Sequence, residues 1–198
     1  MRCQLIEKYL FEVLKNIKKI KGLKSFIHRN FPGASGEIYE KMFYSIRHLK
    51  SARYLHTLKL SFLSFYDLDQ KFLVKVAQCL KDLRTFSLDI HYIVEIEELN
   101  TVVAMLLSLK SLEALHLGIP FEDYAKRSNL ILDDSPFDRL IASLGTLKYL
   151  EILSLYFTGC LLIRSRIEKI TASLNSIKDR LKHLKIGKIG RASCRERV

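Results

Sequence analysis

Leu147-Lys-Tyr-Leu150-Glu-Ile-Leu153-Ser-Leu155 is the stretch that decides the fold. Leu109-Lys-Ser-Leu112-Glu-Ala-Leu115-His-Leu117 and Leu80-Lys-Asp-Leu83-Arg-Thr-Phe86-Ser-Leu88 repeat it almost position for position. The end of each stretch alternates, so on a strand Leu153 and Leu155 face one way while Ile152, Ser154 and Tyr156 face the other.

Working outward, weaker copies occur at Ile20–Phe26, Leu55–Leu60 and Leu181–Ile186. Aligned on one position, the anchors are Phe26, Leu58, Phe86, Leu115, Leu153 and Leu184, at intervals of 32, 28, 29, 38 and 31 residues. Most of the intervening segments carry apolar residues at helical steps of three and four. The first such segment is 4–20, with Leu5, Tyr9, Val13 and Ile17, and Asn30–Gly36 then punctuates the chain as a loop before a second at 37–49. Helices are also expected over 69–80, 96–107, 135–144 and 162–177. Asp67 or Asp69 is a plausible cap for the first of these four, and Ser135-Pro136 opens the third in the order of cap, then proline.

Six strand-plus-helix copies at near-constant spacing form a repeat architecture. The phrase L-x-x-L-x-L followed by a full helix resembles the leucine-rich repeat family, and its length and helical back resemble the ribonuclease-inhibitor-like subclass over about residues 4–188. The resemblance implies an α/β fold: a right-handed solenoid of about six strand-helix repeats, with a parallel concave sheet and helices on the convex side. One departure stands out. Three residues beyond the second strand leucine the family phrase has an Asn or Cys that satisfies the turn, whereas this chain has Phe31, Leu63, His91, Pro120, Thr158 and Ile189. The turns must be closed in another way. The long fourth interval places an insertion at about 120–134.

A single unit of this kind cannot stand alone. Ordering its backbone costs ~1–2 kcal/mol per residue, against ~1.5–3 kcal/mol returned by each buried Leu. Stacking gives every leucine row a neighbour on each side, so stability grows with the number of copies. The ends of such a stack need covering, and the last strand phrase would be left open.

At 198 residues and 48% hydrophobic, the chain is long enough for one sizeable core. Residues 1–188 are read as the repeat domain. Ile189-Gly-Arg-Ala-Ser-Cys-Arg-Glu-Arg-Val198 looks like a translated sequencing adapter, a non-native tail whose removal makes the domain a fragment and lowers the formal charge from +12 to +10. Cys3, Cys79, Cys160 and Cys194 are scattered without a C-x-x-C pair, so a reducing, intracellular, cytoplasmic setting is expected, with Cys79 and Cys160 as small core residues. Glu7 and Glu12 interrupt any signal or transit peptide, and the longest apolar run, Val102 to Leu107, is too short to span a bilayer.

The strong positive charge points first to a polyanion. Its distribution argues otherwise. Lys15, Lys18, Lys19, Lys21 and Lys24 crowd one end and Arg164 to Lys185 the other, while His91 to Asp138 holds nine acids and three bases. A nucleic-acid binder is expected to show a continuous basic track with stacking aromatics. Catalytic constellations are also missing: there is no H-E-x-x-H, G-x-S-x-G, G-x-x-x-x-G-K-[ST] or G-x-G-x-x-G, and Asp89 with His91 is too little to define a site. No cofactor or metal is implied.

The expected function is therefore a non-enzymatic protein–protein interaction scaffold that binds a partner on the concave sheet face. The residues assigned to that face are Thr57, Lys59, Thr85, Ser87, Asp89, His116, Ser154, Tyr156 and Lys185. The alternatives are a basic RNA-binding module and, by analogy with some relatives, the substrate-recognition part of a larger ubiquitin-ligase-type protein.

Overall fold

The computed structural model of the chain describes residues 16, 22–28, 49, 54–64, 70–92, 97–120, 135–158 and 164–188. The expected helices at 4–20 and 37–49, apart from Asn16 and the buried Leu49, lie outside these residues. So do the 30–36 loop, the caps at Asp67 and Asp69, Cys3, Cys160, most of the 120–134 insertion and the 189–198 tail.

The described elements alternate in order: β1 (Ser25–His28), β2 (Thr57–Ser64), α1 (Gln70–Cys79), β3 (Thr85–Tyr92), α2 (Glu97–Ser108), β4 (Ala114–Pro120), α3 (Ser135–Gly145), β5 (Ile152–Thr158), α4 (Arg164–Ile177) and β6 (His183–Lys188). The strands form one parallel sheet in sequence order, β1 to β6. Its register places Phe26, Leu58, Phe86, Leu115, Leu153 and Leu184 in a single row across adjacent strands, as the repeat alignment requires. Two positions on, His28, Leu60, Leu88, Leu117, Leu155 and Ile186 form a second row.

From β2 to β5 these rows, with Ile90, Ile119 and Phe157 two positions further on, supply the sheet's half of the core. The helices supply the other half through stripes such as Leu99, Val102 and Leu106 on α2, and Phe137, Leu140, Ile141 and Leu144 on α3, all buried. Phe137 of α3 meets Phe157 of β5 at a centroid distance of 6.0 Å and an interplanar angle of 60°, within the range of favourable tilted ring pairs. Neighbouring helices pack in sequence, α1 on α2, α2 on α3 and α3 on α4.

The strands begin two residues later than the leucine phrase suggests. Leu55, Leu83, Leu112 and Leu150 are buried, yet each sits in the turn ahead of its strand. Apolar spacing reports burial, and the turn leucine is as buried as the strand leucines. The expected strand over 20–26 starts only at Ser25, because Gly22 has a φ of 85°, a left-handed conformation that breaks an extended run. At their other ends β2, β3, β4 and β5 run through Leu63, His91, Pro120 and Thr158. Where the family phrase would have an Asn or Cys the chain stays extended, although the β3–β4 pairing stops earlier, at Asp89 and Gly118.

One assignment is corrected. Cys79, expected in the core, is exposed. Val76, Ala77 and Leu80 set the inward stripe, and at 100° per residue Gln78 and Cys79 fall on the outer side.

Candidate functional site

The leucine-bearing face of the sheet is buried from β2 to β5, and the opposite face carries the residues assigned from sequence. Three rows of side chains run across it. The first is Ser25, Thr57, Thr85, Ala114, Ile152 and His183; the second is Ile27, Lys59, Ser87, His116, Ser154 and Lys185. The third contains Ser61, Asp89, Gly118, Tyr156 and Gly187. All nine residues assigned from sequence therefore share one face: Thr57 and Thr85 in the first row, Asp89 and Tyr156 in the third, and the other five in the second. They are not one compact cluster. Lys59 and Lys185 are four strand spacings apart, ~19 Å at about 4.8 Å per spacing.

Accessibility separates them. Lys59 and Lys185 are exposed; Thr57, Thr85, Ser87, Asp89, His116 and Tyr156 are half-buried; Ser154 is buried, with 6% of its surface accessible. Ser154 thus contributes to the floor of the face more than to its relief.

Two glycines shape that relief, and they were not among the assigned site residues. A Cβ on Gly118 would collide with Asp89 Oδ1, so the Asp89 side chain lies across the space that residue 118 leaves open. Gly187 does the same for Tyr156, whose Cδ1 and Cε1 would be 3.1 and 3.2 Å from an added Cβ. Lys185 Nζ sits 5.4 Å from the centroid of the Tyr156 ring, within cation–π range. A hydrogen bond to Tyr156, and then the charge of that group, hold the Lys185 ammonium above its ordinary pKa. The signal was present in the sequence as glycine recurring in the third row beside larger residues, at the repeat spacing.

His116 occupies the middle of the second row. Burial, and secondarily the positive charge of Lys59, hold its imidazole below the ordinary value of 6.5. The neutral ring is therefore favoured at physiological pH, able to accept as well as donate a hydrogen bond. Among the described residues no group of three His, Cys, Asp or Glu side chains is placed to hold a metal ion. No described helix is long and apolar enough to cross a membrane.

A second line of charged residues runs along the edge of the sheet where the strands begin. Arg84 and Glu113 are paired at 3.2 Å, and Lys182 and Glu151 at 2.8 Å. Their backbones are more regular than their side chains: the carbonyls of Lys24, His56, Arg84, Glu113 and Glu151 each accept two consecutive N–H groups from the next strand, at 2.8 to 3.1 Å.

No protein-family model matches the chain, and no curated protein sequence does. Among solved structures it is similar to the tropomodulin C-terminal domain of Caenorhabditis elegans, with a TM-score of 0.58 and 10% identity over 86% of this chain and 94% of that one. It is also similar to leiomodin-1 actin-binding site 2, with a TM-score of 0.55 and 13% identity over 85% of this chain and 88% of that one. The six-stranded parallel sheet and these neighbours fit an α/β fold of leucine-rich-repeat type. At these identities the likeness is one of fold.

Proposed function

We propose that the chain is a non-enzymatic protein-interaction scaffold, built as a right-handed solenoid of ribonuclease-inhibitor-like repeats, whose polar sheet face is the concave, partner-binding face. The observation carrying this reading is the register: Lys59, Ser87, His116 and Lys185 fall in one row, flanked by Thr57, Thr85, Asp89 and Tyr156. The rows offer hydrogen-bond donors, acceptors, one aromatic ring and two exposed lysines over several strands, the composition expected of a polar recognition surface.

The similarity to leiomodin-1 actin-binding site 2 makes actin the first partner to try. Co-sedimentation with actin filaments and pull-down of monomeric actin supply the test, repeated with Lys59→Glu and with Thr85→Arg, which change the face without touching the core. The reading expects saturable binding that either variant weakens at least tenfold. Binding that both variants leave intact would remove the face from the account, and an absence of binding to both actin forms would remove actin.

A further inference from the structure

Along the chain the basic residues crowd the two ends, but the repeat register gathers others in the middle. The turns from α1 to β3, α2 to β4 and α3 to β5 close with the same backbone bond. Leu80, Leu109 and Leu147 N–H each donate three residues back, to the carbonyls of Ala77, Leu106 and Leu144, at 3.1 to 3.2 Å. The next residue in each turn is a lysine, Lys81, Lys110 or Lys148, and all three are exposed. They form a basic row across three successive repeats, with β2 and β6 beyond it on either side. Among the described residues none of the three is paired with an acid, whereas Glu113 and Glu151 of the adjoining row are held by Arg84 and Lys182.

Lys81 and Lys110 line one cleft of about 430 Å³, together with Gln78, Asp82, Leu107 and Ser111. Asp82 sets one negative charge there against two positive ones. One residue beyond the lysines a second row runs through Tyr54, Asp82, Ser111 and Tyr149, each three residues ahead of its strand. The tyrosines at its two ends are 65% and 63% exposed, more than any other large apolar side chain among the described residues. They lie three strand spacings apart, ~14 Å at about 4.8 Å per spacing. A basic row that holds a cleft, with an open aromatic ring to either side, is an arrangement that tracks a nucleic-acid backbone and stacks its bases.

We propose that this edge binds single-stranded RNA, which crosses the turns from Tyr54 to Tyr149 with phosphates on Lys81, Lys110 and Lys148 and bases stacked on the two tyrosine rings. The edge shares no residue with the polar face proposed above. Lysine meets a phosphate as a point charge, without a fixed geometry. An exposed ring accepts the π-face of any base, provided the base is not already stacked in a duplex. An acidic polypeptide would answer the lysines and leave the tyrosines unused. Gln78 and Ser111 both donate and accept hydrogen bonds, as the ribose 2′-hydroxyl does, which favours RNA over DNA.

The probe is a fluorescein-labelled uridine decanucleotide titrated with the whole chain and read by anisotropy between 50 and 200 mM salt. Each phosphate contact contributes about −0.7 to the slope of log K against log salt. Lys81→Gln combined with Lys110→Gln is therefore expected to flatten that slope by about 1.4 and to weaken binding at least tenfold at 50 mM salt. Tyr149→Ala is expected to weaken binding at least fivefold with the slope unchanged, which a general charge effect would not do. Lys59→Gln combined with Lys185→Gln removes the same charge from the polar face and is expected to leave binding within twofold. All five side chains are exposed, so none of these changes disturbs the core. No binding at 50 mM salt, equal losses from the two lysine pairs, or no loss from Tyr149→Ala overturns the proposal. So does equal binding of the deoxyuridine decanucleotide, or displacement of the RNA by a glutamate decapeptide at equal concentration.

Discussion

Asp89 lies across Gly118 on the adjacent strand, close enough that a Cβ at 118 would run into its Oδ1 and come within 3.2 Å of its Cγ. The contact gives the glycine a reason to be there that strand propensity does not supply. Gly118→Ala gains about 0.5–1 kcal/mol by restricting the unfolded chain, but it forces the Asp89 carboxylate to move. Crowding of this kind costs typically ~1–3 kcal/mol, so the substitution is expected to be destabilising by about 1 kcal/mol. In an Asp89→Ala background the same change is expected to be neutral or stabilising. A double-mutant cycle by urea denaturation checks this, and equal effects in both backgrounds would sink it.

The two leucine rows make a graded prediction. Leu115 is fully buried in the middle of its row and Leu184, in the same row, is half exposed. Leu115→Ala is expected to cost ~2–5 kcal/mol, the range for a buried leucine whose neighbours cannot close the gap. Leu184→Ala is expected to cost less than about 1 kcal/mol, since much of its side chain already meets water. Denaturant midpoints of the two variants measure the difference.

His116 predicts a pH dependence. Its folded-state pKa lies below 6.5 because of burial and then Lys59. The unfolded chain therefore binds the proton more readily than the folded one. The stability that follows is present above 6.5 and is lost as pH falls from there through the lower folded-state value. Lys59→Met removes the second cause only. It is expected to raise the His116 pKa part of the way back and to flatten the loss, as read from the imidazole resonances and from urea midpoints between pH 7.5 and 5. A wild-type His116 that titrates above 6.5 would contradict the assignment.

Much of this fold was legible in the sequence because one phrase recurs. Phe26, Leu58, Phe86, Leu115, Leu153 and Leu184 fall in a row since their spacing repeats, and a parallel sheet turns a repeat into a register. Other features resisted for physical reasons. The turn leucines look like strand leucines because both are buried, which displaced every strand start. Cys79 follows two inward residues by only a short step, and composition does not say on which side of a helix end it falls. Ser154 reads as an exposed polar residue, yet strand packing buries it. The series of doubly bonded carbonyls is a property of the backbone and has no residue signature at all.

The charged pairs at the sheet edge and on the helices should differ in worth. Arg84–Glu113 and Lys182–Glu151 join exposed side chains at 3.2 and 2.8 Å. Water and salt screen such pairs, so Glu113→Gln and Glu151→Gln are each expected to change stability by no more than about 0.5 kcal/mol. Lys169 donates to Asp138 Oδ2 at 2.6 Å, and Asp138 lies in the first turn of α3, where the exposed N–H groups favour a negative charge. Asp138→Asn removes both the cross-helix ion pair and that favourable end charge, and is expected to cost about 1 kcal/mol. The neighbouring bonds from Ser173 to the Ile141 carbonyl and from Arg180 to the Gly145 carbonyl hold α4 against α3 and should survive the change. Urea denaturation of the three variants at low salt and at 1 M NaCl measures the ordering; the Asp138 effect should shrink with salt, and a larger loss from Glu151→Gln than from Asp138→Asn would reverse the argument.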